Sequence, residues 1–355
     1  MNEQSPLIYF YIPQDKWPEP EWLESPYTYG QWQIVKGSNF IGQFDWTLQT
    51  YLHLKARNFP CKLIGTIPKE GIVLSHRVFL KDSIKPSEKL LLVCLQADSG
   101  RHPYAQLHIV QNPRQVTKEF SLWKSHFIPH WIQPNLIPRD SNRKDKFENV
   151  AFFGTKSNLA PELHDSSWEE RLNKLGLRWQ IKNTHEQWAD FSDVDVVLAV
   201  RRFDPNSSYD WKPATKLYNA WHAGVPIILG RESAFRAERK SEYDYLEVTS
   251  VEETIAALKQ LQTQPELRQE MIKNGRVRAV ETTYEKLVER WCSLIENKIV
   301  PAYQRWCQTP RWQQQAFLKI RRSIDLKLQY LPNKSRQEYF AHVEKAKLMK
   351  QKGIF

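Results

Sequence analysis

The chain has 355 residues, 41% of them hydrophobic and 26% charged, with 51 Lys+Arg against 40 Asp+Glu. That composition supplies one large or two ordinary cores and excludes a disordered chain. The net charge of +11 and the 14 tryptophans raise two readings, a nucleic-acid binder and a membrane-surface protein, and each needs the charge concentrated in one place. In chain order, residues 7–12 (LIYFYI) read as a strand and 44–58 as a helix, with apolar side chains at Phe44, Leu48, Tyr51 and Leu52. Residues 61–67, 71–74, 89–95 and 106–110 are short aliphatic runs bounded by Gly, Pro or charge, which suits buried parallel strands. Residues 126–140 carry three prolines and 141–149 are polar, so this stretch reads as a connector that resists both helix and sheet. A second alternation follows, with strands at 150–154, 178–181, 194–200 and 225–229 and helices at 168–177, 185–191, 214–222, 251–261 and 265–293. The expectation is an α/β protein with two doubly wound Rossmann-like domains facing a cleft, ligands lying beyond the carboxyl ends of the strands. The boundaries are 1–130, a linker at 131–148, 149–300, and basic amphipathic helices at 301–355.

Cys61, Cys94, Cys292 and Cys307 are widely spaced, with no CxxC pair and no His cluster, which argues against zinc and fits a reducing compartment. The first twenty residues lack a basic region followed by an apolar core, and no apolar run approaches the ~20 residues that span a bilayer. The expected location is cytoplasmic, with peripheral membrane attachment as a further option.

The most informative stretch is 210–235, DWKPATKLYNAWHAGVPIILGRESAF. Lys212-Pro-Ala-Thr215-Lys216 opens a helix whose free N–H groups and two lysines make a diphosphate site. The helix closes at Ala223-Gly224 and the chain returns to a strand.

This segment resembles the C-terminal domain of GT-B nucleotide-sugar glycosyltransferases, in which a helix runs into A-x-x-x-G-V-P-V-I, here Ala220 to Ile228. TKLYNAWHAGVPIILG is also similar to a segment of α1,3-fucosyltransferases. The resemblance covers residues 146–300 well and 1–130 only in general pattern. It implies the GT-B fold, with a last helix crossing back onto the N-terminal domain, and sugar transfer from a nucleoside-diphosphate sugar to a glycan, lipid-linked or small-molecule acceptor, as in polysaccharide biosynthesis. It implies no required cofactor and no metal. The chain departs from the family at Trp211 and Asn219, where retaining members carry Glu-x7-Glu, and at Thr215, where the fucosyltransferases have Glu. Asn219 retains a hydrogen-bonding group for the ribose. Two other readings remain: a nucleotide-sugar epimerase of the same fold, and a non-catalytic sugar- or nucleic-acid-binding descendant.

Other candidate residues follow from position. Gly154, Thr155 and Lys156 end the strand VAFFG, and Arg201 and Arg202 follow VDVVLAV, where arginine suits phosphate. Gly37, Ser38 and Asn39 form an acceptor-side loop. Asp45, His76, Asp98 and His102 are candidate bases for an acceptor hydroxyl. Asp193 and Asp195 precede their strand, so they lie at its amino end, away from any ligand, and read as a turn rather than a metal motif.

The charge is local. Residues 301–355 hold twelve Lys+Arg and three acids, and the first 300 residues are nearly neutral. A nucleic-acid role therefore loses its support. The basic segment, interleaved with Tyr303, Trp306, Trp312 and Phe317, is expected to pack back on the N-terminal domain or to touch anionic lipid.

Overall fold

A computed structural model describes residues 6–36, 41–117, 121–204 and 206–330. The aliphatic runs form two parallel sheets. The first contains β1 (Ile8–Tyr11), β2 (Cys61–Ile64), β3 (Gly71–His76), β4 (Leu90–Leu95), β5 (Leu107–Val110) and β6 (Lys124–Phe127), in the order β2-β1-β3-β4-β5-β6. Every residue of β3, β4 and β5 is buried, as expected of strands covered on both faces. The second contains β7 (Asn149–Phe153), β8 (Arg178–Lys182), β9 (Val196–Ala199), β10 (Ile227–Gly230) and β11 (Leu246–Val248), in the order β11-β10-β9-β7-β8. Two strands were not expected. β6 takes its last residues, His126 and Phe127, from the proline-bearing stretch, because all three of its prolines come after Phe127. β11 is a three-residue edge strand, too short to leave a pattern.

In the first half the helices α1 (Pro26–Lys36), α2 (Ile41–Phe44) and α3 (Thr50–Ala56) all lie between β1 and β2, with a π-turn at Asp45–Gln49 joining α2 to α3. From β2 to β6 the connections are loops and single 3-10 turns, a pared-down Rossmann-like pattern. The second half is richer: α4 (Ser166–Asn173), α5 (His185–Trp188), α6 (Thr215–Ala223), α7 (Ser233–Glu238), α8 (Val251–Thr263) and α9 (Pro265–Ala279). α10 (Tyr284–Leu294) and α11 (Val300–Gln308) then return to the first half. The Trp291 ring meets that of Trp46 at 6.2 Å, and Trp306 Nε1 donates to Ser87 O at 2.9 Å. Trp46, Trp131, Trp168 and Trp291 are essentially inaccessible to water, so much of the tryptophan content is core rather than binding surface.

Residues 308–355 form a separate compact unit. Its described part is α12 (Arg311–Tyr330), on which Trp312, Ile320 and Leu326 are exposed. Residues 331–355 lie outside the described residues. Among the described residues no helix is long and apolar enough to cross a membrane.

The connector is fastened at the amino end of β9. Asp195 Oδ1 accepts from Arg139 Nη2 at 2.8 Å and Arg143 Nε at 2.9 Å, and Oδ2 accepts from Arg143 Nη2 at 2.6 Å and the N–H groups of Glu148 and Asn149 at 2.9 and 3.0 Å. Asp193 takes Lys182 Nζ at 2.7 Å. Both acids are thus structural ties. Burial opposes ionisation of Asp195, but the bonds from Arg143, Glu148 and Asn149 outweigh it and hold its pKa below the usual carboxylate range. A carboxyl whose pKa falls on folding stabilises the protein above its unfolded pKa and loses that contribution as pH falls through the folded value. Asp195→Asn leaves Arg139 and Arg143 without their counter-charge and should cost about 3–5 kcal/mol at pH 7. Thermal melts of the two proteins should converge as the pH is lowered toward the acid limb; a deficit independent of pH would show that the charge is not what matters.

Candidate functional site

In parallel sheets wound in both directions, a crevice opens at the carboxyl ends of the two strands where the order reverses. In the second sheet those strands are β7 and β9. β7 runs into Gly154, whose φ of 138° is a conformation that side chains with a Cβ resist. β9 runs through Val200 into Arg201. Between them rises the start of α6. Pro213 lies just before this helix rather than in its first turn, Ala214 is the N-cap, and no side chain caps the end. Thr215 Oγ1 is buried there with no partner among the described residues.

Lys216 makes no hydrogen bond and no ion pair among the described residues. Its Nζ lies 5.4 Å over the Phe152 ring and 3.5 Å from the place a Cβ on Gly154 would occupy. Burial, then the charge of Arg201 and that of Lys212, draw its pKa down to about 7, against the opposing pull of Glu232 and Asp98. A lysine held so close to neutrality gains from any anion that arrives. Arg201 is fixed beside it: Nε donates to Glu232 at 3.0 Å and Nη1 to Asn158 Oδ1 at 2.6 Å. Glu232, 3% exposed, escapes the sequence reading, although its place two residues after VPIILG puts it just beyond the carboxyl end of β10. Arg202, Thr155 and Lys156 are exposed, and Thr155 Oγ1 pairs locally with Ser157 and Asn158. Asn219 is not brought into this cluster; its Oδ1 accepts from the backbone N–H of Gln133 in the connector at 2.9 Å.

The first sheet supplies the opposite wall. β4 leaves through Ala97, in the left-handed region at φ 47°, into Asp98. Lys212 Nζ donates to Asp98 Oδ2 at 2.5 Å, and Gln111 Nε2 donates both to Asp98 Oδ1 at 2.6 Å and to Trp211 O at 2.8 Å. Asn112 Nδ2 reaches Lys212 O at 3.1 Å and Ser233 Oγ at 2.9 Å. These bonds join the strand ends of one sheet to the loop before α6 of the other. Burial opposes ionisation of Asp98, yet the Lys212 charge beside it keeps its pKa low, so it is a poor proton acceptor.

His76 ends β3, at the reversal of the first sheet, and is 5% exposed. Its Nδ1 accepts the Val78 N–H at 3.2 Å, which places the ring proton on Nε2. In that tautomer Nε2 donates. His102 is fully buried, with Nδ1 accepting from Tyr104 and Ala105 and Nε2 against Lys81 O at 3.1 Å; its ring organises a loop. Asp45 accepts from Tyr29 Oη at 2.6 Å and from Gln33, and burial raises its pKa. Gly37, Ser38 and Asn39 lie outside the described residues.

His130 has the opposite tautomer. His130 Nδ1 donates to Trp131 O at 2.7 Å, which leaves the lone pair on Nε2. The ring stands edge-on to Trp46 at 5.3 Å, and Trp46 Nε1 donates to Gln111 Oε1, whose amide holds Asp98. His130 sits in the stretch that reads as a connector in the sequence, so no strand-end signal marks it.

Residues 144–293 match the family model described as Glycosyl transferase-like. The matched segment includes Gly154, Arg201, Lys216 and Glu232. No curated protein matches the chain. Among solved structures, the chain is similar to sucrose-phosphate synthase from Thermosynechococcus elongatus at 13% identity, over 65% of this chain and 74% of that one, with a TM-score of 0.44. It is similar to Anabaena HepE in complex with UDP at 9% identity, over 82% and 100%, with a TM-score of 0.46. It is similar to S. aureus TarM, in complex with Fondaparinux, alpha-GlcNAc-glycerol and UDP, at 11% identity, over 71% and 60%, with a TM-score of 0.47.

Burial, above all, pulls the His76 pKa down to about 4 against the Asp98 charge. Nitrogen NMR of the imidazoles should therefore find His76 neutral, with its proton on Nε2, throughout the physiological range. A titration near the ordinary histidine value, or a proton on Nδ1, would contradict the geometry.

Proposed function

We propose that the protein transfers a sugar from a nucleoside-diphosphate sugar to a hydroxyl of a glycan, lipid-linked or small-molecule acceptor. The observation that carries this reading is the unpaired Lys216 ammonium beside Gly154 and the uncapped start of α6, inside the segment that matches the glycosyltransferase-like family. The diphosphate lies on the helix N-terminus, where free N–H groups and the helix dipole favour an anion. Gly154 lets the backbone approach, Lys216 meets the phosphates, and Arg201, held in place by Glu232 and Asn158, adds a second cation. As the glycosidic bond to the donor breaks, negative charge grows on the departing diphosphate, and these fixed donors stabilise it without help from a metal ion. Residues 149–300 thus serve as the donor domain and 1–130 as the acceptor domain, joined by 131–148. For a transfer that inverts the anomeric centre, His130 Nε2 is the nitrogen whose lone pair is free to take the acceptor proton.

Lys216→Ala and Arg201→Ala should each weaken nucleoside-diphosphate binding by about tenfold or more, as loss of a charge-assisted contact does. Calorimetry with a panel of nucleotide sugars tests this, and unchanged affinity in both variants would remove the site. Because the anion favours the protonated amine, wild-type affinity should fall as the pH rises above about 7, and Lys216→Met should lose that dependence. Binding without transfer to any acceptor would leave a nucleotide-sugar-binding protein, and isomerisation of the free donor an epimerase.

The basic segment 301–355 is proposed to touch anionic membrane. α12 presents exposed Trp312 and Ile320 on a helix that also carries Arg311, Lys319, Arg322 and Lys327. Full-length protein should sediment with anionic vesicles at low salt and release at high salt. Equal sedimentation by a chain lacking residues 332–355 would place the contact before the tail, and no sedimentation by either would end the proposal.

A further inference from the structure

The π-turn at Asp45–Gln49 is fastened across the strand ends of the first sheet. Thr47 Oγ1 accepts the His76 N–H at the end of β3 at 3.0 Å, and Trp46 Nε1 donates to Gln111 Oε1, just past β5, at 3.1 Å. From the connector, Trp131 Nε1 donates to Thr50 Oγ1 at 2.8 Å, where the turn enters α3. Such turns are rare and occur frequently at functional sites. This one sets three consecutive residues beside two imidazoles. Thr47 holds the His76 backbone, the Trp46 ring stands 5.3 Å from that of His130, and Asp45 opens the turn.

Three polar atoms of this group are unused. Asp45 Oδ1 takes both the Tyr29 hydroxyl and the Gln33 amide, which leaves Oδ2 without a hydrogen-bond partner among the described residues. His76 keeps its proton on Nε2 and His130 on Nδ1, and neither Nε2 has a hydrogen-bond partner among the described residues. The unpaired side-chain atoms of the described residues that are sealed from water all lie elsewhere, so these three are open to solvent. They are also within electrostatic reach of one another. Burial raises the Asp45 pKa and a charge on His130 opposes that rise. Burial lowers that of His76, with Asp98 opposing and Arg77 and His130 adding to the fall.

The set consists of two acceptors, Asp45 Oδ2 and His130 Nε2, and one donor, the His76 Nε2–H. A ligand that matches it presents two donors and an acceptor within a few bonds. An ammonium group has no acceptor for His76. A phosphate has no donor for the other two when fully ionised, and it is repelled by Asp45, which has no ion-pair partner among the described residues. A lone alcohol brings one donor. Two neighbouring hydroxyls of an uncharged sugar ring bring two donors, and their oxygens serve as acceptors.

Resting on the sugar-transfer reading above, we propose that Asp45, His76 and His130 form the acceptor subsite and that the acceptor there is a neutral sugar ring with two adjacent hydroxyls. The attacking oxygen bonds to the donor's anomeric carbon as its proton passes to His130 Nε2, and the electron pair of the broken bond leaves on the diphosphate. Asp45 Oδ2 holds the neighbouring hydroxyl, and His76 donates to an oxygen of the pair.

The probes are methyl β-glucoside and methyl α-mannoside, with tetrahydropyran-2-methanol as the control that has the ring but a single hydroxyl. Each is added to the full-length protein without nucleotide and read by nitrogen NMR of the imidazoles. A glycoside should shift the His76 and His130 signals, and the control should not. In Asp45→Asn the Tyr29 and Gln33 donors hold the amide oxygen in place of Oδ1, so an NH2 replaces the free acceptor. That variant and His76→Met should each weaken glycoside binding by about tenfold, as loss of one hydrogen bond does. In transfer assays Asp45→Asn should raise the acceptor KM by a similar factor and leave the donor KM unchanged. Lys216→Ala should leave glycoside binding unchanged. Imidazole signals that no glycoside moves, an equal response to the control, or full glycoside affinity in Asp45→Asn would overturn the subsite and leave the donor site standing. Glycoside binding as expected, with nucleotide affinity intact in Lys216→Ala and Arg201→Ala, would instead remove the donor site alone. If Asp45→Asn fails to fold, the wild-type NMR comparison of glycosides with the control decides.

Discussion

The bridge from Lys212 to Asp98 is the constraint on which the arrangement of the chain's chemistry depends. It joins the loop before α6 to the carboxyl end of β4, and Gln111 and Asn112 reinforce it from the end of β5. Parallel sheets collect their useful groups at one edge because every strand points the same way. Two such sheets make one site only if those edges are brought face to face, and these few polar bonds do that. They also settle what the residues on either side are free to do. Asp98 is committed to Lys212, and Lys212 to Asp98. Arg201 is committed to Glu232. Lys216 is left as the cation that no acid satisfies, with Phe152 beneath it and the Gly154 backbone beside it.

This division of labour explains why like charges are tolerated at such close range. Arg201, Lys212 and Lys216 would repel one another in a dry crevice. Glu232 and Asp98 offset two of the three, and the third responds by lowering its pKa. The result is a site one negative charge short of balance. Any anion placed beside Lys216 restores the balance, which is the electrostatic ground for the diphosphate site proposed above.

Much of this was legible in the sequence, and the reasons are physical. Buried parallel strands need continuous aliphatic runs, so β1, β3, β4, β7, β9 and β10 announce themselves, and the residues just beyond their carboxyl ends, His76, Asp98, Gly154 and Arg201, follow by position. Lys216 follows from a helix start that succeeds a strand. What escaped was set by partners rather than by pattern. Asn219 has the right spacing for a ribose contact but lies on the helix face that meets the connector, where Gln133 takes its oxygen. His102 follows a strand as His76 does, yet its loop folds over it. His130 lies among prolines, where periodicity carries no information, and only the carbonyl of Trp131 shows which nitrogen holds its proton. The tryptophans misled in the same way: composition counts them, and only packing shows that Trp46, Trp131, Trp168 and Trp291 are interior. α1 begins at Pro26 and includes Gly30, a poor helix former by composition, and its apolar face is recognisable only against the aromatic cluster of Trp32, Phe44 and Phe79.

The two places where the first-sheet half meets the second-sheet half differ in kind. At the strand ends the halves meet through the buried amides of Gln111 and Asn112 and one ion pair whose Asp98 side chain is 41% exposed. At the connector they meet through the stack of Trp131, His53 and Tyr284 and the Trp46–Trp291 contact. The aromatic side is held by burial, which has no direction, and the strand-end side by hydrogen bonds, which fix the orientation of each group.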